Sequence, residues 1–323
     1  MITLNISSVE VSDSTGDERQ EEHAYVARLQ SGDERALEQL FETYVPRLYR
    51  FVWRTMGGGD ALDAEDVLQE TMVAAQDILA IRKTGAIDEV MLNRPDRLNA
   101  LTQPLADALL AYFESKRRDT DTRVILISGA GRAFCSGADL KALGTPDALR
   151  DGPNGDWVLR DVLKTMRDCP QPIIALVHGA AAGGGFAIAL AADVILAGES
   201  AAFHPAFIKI GLSGSELGVS WRLQRMIGLS RAREMLLTGQ PMLAAEAREA
   251  GLVSRVVPDA DLRATGIELA EAMLRAAPDA LRVSKRTFDA TLEIGNFATA
   301  LELEERGQIQ MIRAGMVARP KRD

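Results

Sequence analysis

The chain has 323 residues, 47% of them hydrophobic and 26% charged, enough for two domains or for one large domain with an appendage. A formal net charge of −9 argues against general nucleic-acid binding. Two cysteines, Cys135 and Cys169, encode neither a disulfide framework nor a zinc cluster, and three widely separated histidines (His23, His178, His204) give no local metal motif.

Residues 1–20 are polar and acidic, without the basic start and apolar stretch of a signal peptide, and are expected to be a disordered leader. From 21 to 77 the pattern is helical. Tyr25, Val26 and Leu29 share one face, Ser31-Gly32-Asp33 breaks and caps, and Ala36, Leu37, Leu40, Phe41, Tyr44 and Val45 form the next stripe. Leu48, Phe51, Val52 and Met56 extend it to Gly57-Gly58-Gly59, and a last helix from about Asp63 presents Val67, Leu68 and Met72.

At Ile78 the character changes. AIDEVMLN and RVILIS read as strands with a helix over Ala106–Arg117 between them, and PIIALVHG and ADVILAG read as two more. Strands alternating with helices predict an α/β core over 78–260. After about Leu217 the segments SWRLQRMIG, SRAREMLLTG and AAEAREAG are helical, Leu252–Val257 is a short strand, and 261–323 forms a helical C-terminal part. The longest apolar stretch, 186–197, is too short to span a bilayer and contains Asp193, so no membrane is expected and a cytoplasmic, reducing location follows.

Two small-residue turns carry the chemistry. GAGRAFCSGADL (129–140) and GAAAGGGFAIALAADVILAG (179–198) each follow an apolar strand and allow backbone N–H groups to point at a ligand. Two such turns converging on one point would make a pocket for a carbonyl oxygen that gains charge. Rival motifs fail on residues. Bulky Phe134 blocks the third glycine position of a dinucleotide fingerprint, GAAAGGGF lacks the Lys and Ser/Thr of a nucleotide loop, and no G-x-S-x-G elbow occurs. Cys135 has no evident base nearby and reads as a buried small hydrophobe.

Leu92-Asn93-Arg94-Pro95, Leu98-Asn99-Ala100-Leu101, the two turns, and LTGQPMLAAEAREAGLVSRVV together resemble the crotonase (enoyl-CoA hydratase/isomerase) family over residues 78–313. The resemblance implies a spiral of ββα units followed by helices used in a homotrimer or dimer of trimers. It implies an acyl-CoA substrate, with coenzyme A as part of that substrate and no tightly bound cofactor or metal. It places the oxyanion donors at the N–H groups of Ala138 and Gly184, and coenzyme A contacts at Asp139, Leu140 and Lys141, with Arg97 and Ala100 nearby. Lys285 and Arg286 are further phosphate candidates, for a neighbouring subunit's site. Read from residues alone, Asp139 is a helix N-cap rather than a ligand contact, and isolated basic residues are ordinarily solvated surface.

Hydration of a conjugated thioester needs one group to activate water and one to deliver a proton. The glutamates that family hydratases use would fall at Ala187 and Phe207, and neither residue can move a proton. In GLSGSELGVSW, Glu216 lies where the resemblance puts the border of the acyl pocket, and a lone carboxylate suits double-bond isomerisation. Its alternative is a helix cap or a pair with Arg222. His204 is a further acid/base candidate, and His178 is expected to order its turn.

ARLQSGDERALEQLFETYVPRLYRFVWR and DAEDVLQETM, within 25–76, resemble the start of region 2 of extracytoplasmic-function sigma factors. That resemblance implies a surface for the RNA polymerase core. Between Glu21 and Asp77, five arginines, no lysines and twelve acidic residues give a charge near −7, which would repel DNA phosphates. An inert fusion remnant is the other reading.

The expectation is thus an acyl-CoA-processing enzyme of isomerase-type or otherwise diverged chemistry, preceded by a small all-α segment. A non-catalytic acyl-CoA-binding protein, or a regulator docking on RNA polymerase, are the alternatives.

Overall fold

A computed structural model describes residues 78–139 and 158–313. The chain divides after Gln76, and the described residues belong to the unit Asp77–Asp323. The helical reading of 21–77 and the sigma-factor resemblance lie outside them, as do Leu140 and Lys141.

The unit opens with a hairpin of β1 (Leu79–Thr84) and β2 (Ile87–Leu92), paired antiparallel from Leu79↔Leu92 to Thr84↔Ile87. Gly85, at φ 60°, turns the chain. β3 (Val124–Gly129), β4 (Ile173–Val177), β6 (Val194–Gly198) and β9 (Arg255–Val257) then add in parallel, giving the order β1-β2-β3-β4-β6-β9. The central strands are near-continuous apolar runs because helices cover both faces. Alternate residues divide between two cores. Val90, Ile125, Ile127, Ile173, Ala175 and Ile195 face α1 (Gln103–Lys116), α2 (Leu159–Asp168) and α3 (Gly184–Ala191). Ile87, Val124, Leu126, Ile174, Leu176 and Leu196 face α7 (Leu262–Leu274).

A second sheet is built from pieces of two or three residues: β5 (Ala180–Ala182), β7 (Ala202–His204) and β8 (Met242–Leu243). Single bridges extend its pattern, Cys135 to Ala181 and Leu101 to Ala138. The unit therefore repeats: a strand in the large sheet, a short extended piece beside its counterpart in the next turn, then a helix. This stacking sets the two small-residue turns side by side. Phe186 of α3 and Phe203 of β7, both fully buried with ring centroids 5.8 Å apart, fix the helix to the small sheet. Burying each ring contributes about 1.5–3 kcal/mol.

The 3-10 helix Ala206–Ile210, α4 (Val219–Ile227), α5 (Leu229–Thr238) and α6 (Ala244–Glu249) follow. The C-terminal stretch is broken into α7, α8 (Pro278–Thr291) and α9 (Phe297–Arg313). Buried Lys285 anchors α8, with Nζ 2.8 Å from Asp193 and donating to the Gln171 carbonyl at 2.9 Å. Lys285 is thus held inside its own chain, which corrects its assignment to a neighbouring subunit's phosphates. Among the described residues no helix is long and apolar enough to cross a membrane, and no group of acidic, His and Cys side chains could hold a metal.

Candidate active site

The first turn leaves β3 at Gly129 and is shaped by Asn99. This residue is fully buried in a left-handed conformation, φ 55°. Its Nδ2 donates to the carbonyls of Ala130 (2.8 Å), Ala133 (2.8 Å) and Phe134 (3.2 Å), and its Oδ1 accepts the Arg94 N–H at 2.8 Å. One side chain thus satisfies carbonyls that a tight turn would leave unpaired. The Cys135 thiol donates to the Asn99 carbonyl at 3.1 Å, and burial pushes that thiol up to about 12, the state of an inert packing group.

Beyond Cys135 the chain runs parallel to residue 101. Leu101 N–H donates to Gly137 at 2.7 Å, and Asp139 N–H donates to Leu101 at 2.9 Å. Extended backbone alternates its N–H direction, so the N–H of Ala138 between them points the other way. Among the described residues it has no acceptor.

The second turn reaches α3 through Gly183, at φ 50°, whose N–H donates to the His204 carbonyl at 2.9 Å. Gly184 is the first residue of α3, where the N–H has no partner within the helix, and among the described residues it has none elsewhere. The turns touch: a Cβ on Gly137 would stand 2.7 Å from the Ala182 oxygen and 3.5 Å from the Gly184 nitrogen. A side chain there would fill the space between the two N–H groups.

Both turns line a pocket of about 760 Å³ that continues past Ala187 to Leu190 and Ala191, the last turn of α3. Phe207 and Glu216 line it as well. So does Asp168, which lies 3.5 Å from Arg117. Glu216 is exposed on the loop before α4, and its Oε1 accepts the Leu217 N–H at 3.3 Å. Leu217 has φ 50°, a conformation costly for a branched side chain. Arg222 does not pair with Glu216; it donates to the carbonyls of Leu190 (3.1 Å) and Ala192 (3.2 Å).

Ala138, Gly184 and Glu216 therefore border one pocket, together with Ala187 and Phe207. The coenzyme A candidates divide. Asp139 forms an ion pair with Arg94 at 3.2 Å, and Arg94 also donates to the Ala100 carbonyl, so this trio braces the first turn and Asp139 caps no described helix. Arg97 is exposed on the short helix Pro95–Arg97, and neither it nor buried Ala100 lines the pocket. His204 also stays outside the lining; burial, and Lys209 after it, hold its pKa below the usual value. His178 lies 2.8 Å from the Gly131 carbonyl through Nε2, a turn-ordering contact.

Reading the sequence missed α2 and its contribution of Arg160, Lys164 and Arg167 to the lining, and it missed Trp221. The signal was present, since Leu159, Val162, Leu163 and Met166 recur at helical spacing.

Known proteins resemble this chain in sequence and in fold. The model of the enoyl-CoA hydratase/isomerase family matches residues 82–317, and that of sigma-70 region 2 matches residues 40–80. A Mycobacterium bovis protein named "Probable enoyl-CoA hydratase echA12" is 38% identical over 229 residues, covering 69% of this chain and 80% of its own length. A monofunctional enoyl-CoA isomerase of Mycobacterium smegmatis superposes with a TM-score of 0.61 at 37% identity, over 70% of this chain and 99% of its own. A Thermobifida fusca crystal structure described as a putative enoyl-CoA hydratase in complex with acetoacetyl-CoA gives 0.69 at 27% identity, over 76% and 98%.

Proposed function

The chain belongs to the enoyl-CoA hydratase/isomerase family, and from that premise we propose that it moves the double bond of an enoyl-CoA thioester. The observation carrying this reading is a pair of N–H groups, on Ala138 and Gly184, that no acceptor among the described residues claims, beside a pocket whose wall offers Glu216 but no carboxylate at 187 or 207. The thioester oxygen accepts both N–H groups. The Glu216 carboxylate takes a proton from the carbon next to the double bond or to the carbonyl, and the electron pair moves onto the thioester oxygen as a dienolate. The same proton returns to the other end of the conjugated system, and Glu216 is again ionised. Atoms balance without water, which suits a pocket in which Ala187 and Phe207 cannot activate one. Each oxyanion donor contributes roughly 3–4 kcal/mol by analogy with other oxyanion holes, and the α3 N-terminus favours the developing charge.

The second reading is a non-catalytic acyl-CoA-binding protein, favoured by the same two substitutions. A mass-spectrometric screen of enoyl-, hydroxyacyl- and other acyl-CoA thioesters, run with Glu216→Gln alongside, separates the two. Turnover that collapses in the variant supports isomerisation; binding without turnover, equal in both proteins, supports the second reading.

Assembly through the C-terminal helices, as a homotrimer or dimer of trimers, is supported by exposed Phe288, Phe297, Leu301 and Ile312. Sedimentation velocity tests it. Docking of residues 25–76 on the RNA polymerase core is supported by the sigma-70 region 2 match. Co-purification with core polymerase that is lost on deleting residues 1–77 tests it.

A further inference from the structure

The pocket has a second end. It follows α3 from Gly184 to Ala191, which at 1.5 Å per residue spans roughly 10 Å. The walls between are Ala187, Leu190 and Leu163, without charge. Helix α2 runs beside α3 from Leu159, packed on Gly184, to Arg167, which donates to the Ala191 carbonyl at 3.1 Å. Arg160 therefore belongs to the near end and Lys164 stands part-way along the rim, while Arg167 of α2 and Arg222 of α4 stand at the far end with exposed Asp168. Carboxylates answer some of these cations. Asp161 lies 3.7 Å from Lys164 and 4.0 Å from Arg160, and Arg167 is paired with Asp193 at 3.2 Å and with Asp289. Arg222 is different. It is half-buried, its Nε and Nη2 donate to neutral carbonyls at the end of α3, and its Nη1 has no acceptor among the described residues. No carboxylate of the described residues lies within ion-pair distance of it.

Capping a helix C-terminus accounts for two of its hydrogen bonds but neutralises only part of a full charge. A partly desolvated guanidinium ordinarily has an anionic partner. Burial and the neighbouring Arg167 bring the Arg222 pKa down to about 10 against the opposing pull of Asp193, which is itself paired with Arg167 and Lys285, and Arg222 stays charged at neutral pH. The planar fork of arginine suits a carboxylate, which it can bind through two parallel N–H groups.

We propose that the far end of the pocket binds an anionic group, so that the preferred substrates are thioesters whose acyl chain ends in a carboxylate. This rests on the acyl-CoA reading of the same pocket and narrows its substrate class. The thioester sits at Ala138 and Gly184, the hydrocarbon lies along Ala187 and Leu190, and the terminal carboxylate meets Arg222, with Lys164 adding attraction from the rim.

The test compares two saturated coenzyme A thioesters of equal carbon count, one ending in a carboxylate and one in a methyl group, titrated calorimetrically into the full chain. The carboxylate-terminated probe should bind about tenfold or more tightly, the size of one good charged contact. The ratio of the two affinities should fall towards one in Arg222→Gln, fall in part in Lys164→Gln, and shrink as salt is raised. A damaged fold would lower both affinities without changing their ratio, and the exposed Lys164 supplies an arm that does not disturb α3. Equal binding of the two probes by the unmodified chain, or a ratio untouched by both substitutions, overturns the inference and leaves the acyl-CoA reading standing. Failure to bind either probe overturns both.

Discussion

On one side of the pocket the groups proposed to meet the substrate are main-chain N–H groups, those of Ala138 and Gly184. On the other side they are side chains, at 187, 207 and 216. The first wall is a product of the fold: its N–H directions follow from the register of residues 101 and 137–139 and from the start of α3. It changes only if the turns change. The second wall is a choice of side chains on a fixed frame, and here Ala187 and Phe207 hold the places at which the family resemblance puts glutamates. One scaffold can therefore keep its carbonyl-polarising wall while its proton chemistry is replaced.

The strongest way to break this contrast is at Glu216. Glu216→Gln keeps the shape and removes the base, and should lower turnover about 10²–10⁴-fold with little change in thioester affinity, measured by steady-state kinetics and titration. A variant that turns over normally would move the acid/base elsewhere. On the main-chain wall, Gly184→Pro removes one N–H at a helix position that tolerates proline, and should cost about 10²–10³ in kcat. Its control is Gly184→Ala, which brings the same Cβ against Leu159 and Leu101, 2.7 and 2.8 Å away, but keeps the N–H. The proline variant must fall well below the alanine variant, or Gly184 is no donor.

The frame beneath that wall is probed at Asn99. Asn99→Ala leaves the carbonyls of Ala130, Ala133 and Phe134 without their donor and should cost roughly 1–3 kcal/mol in chemical denaturation. A smaller effect belongs to His204, which supports the second turn through its carbonyl. Burial and Lys209 hold its folded pKa below 6.5, so the unfolded chain takes up more protons as pH drops below that value. Stability should therefore fall with acidification from about pH 6.5 downward. His204→Gln should flatten that part of the curve and leave turnover intact; an unchanged slope would assign the titration to another group.

The large sheet and its helices were legible because their apolar runs are long and periodic: β3, β4 and β6 were expected as strands and are strands, and α1 begins at Gln103, three residues before the expected Ala106. The expected strand Leu252–Val257 shortens to Arg255–Val257 because Leu252 and Val253 are buried against the main core outside the sheet. β1 went unread because it is an edge strand with Arg82 and Lys83 exposed, so it lacks alternation. The small sheet could not be read either. Strands of two or three residues carry no period, and their pairing joins turns far apart in the chain.

At the site, the residue types follow from the chain alone: the two glycine-rich turns, alanine and phenylalanine where the resemblance puts glutamates, and a carboxylate at 216. Which of them meet is settled by packing between distant segments. The fold pairs Asp139 with Arg94 across 45 residues, a contact that no local pattern gives, and it buries Lys285, a phosphate candidate by the resemblance, on Asp193. The basic end of the pocket follows the same rule. Arg167 and Arg222 lie 55 residues apart, and only the packing of α2 and α4 around the end of α3 brings two like charges to one cavity. A residue type fixes what a group can do chemically, but the partner that fixes its charge, solvation and direction comes from packing between distant segments, which no local pattern encodes.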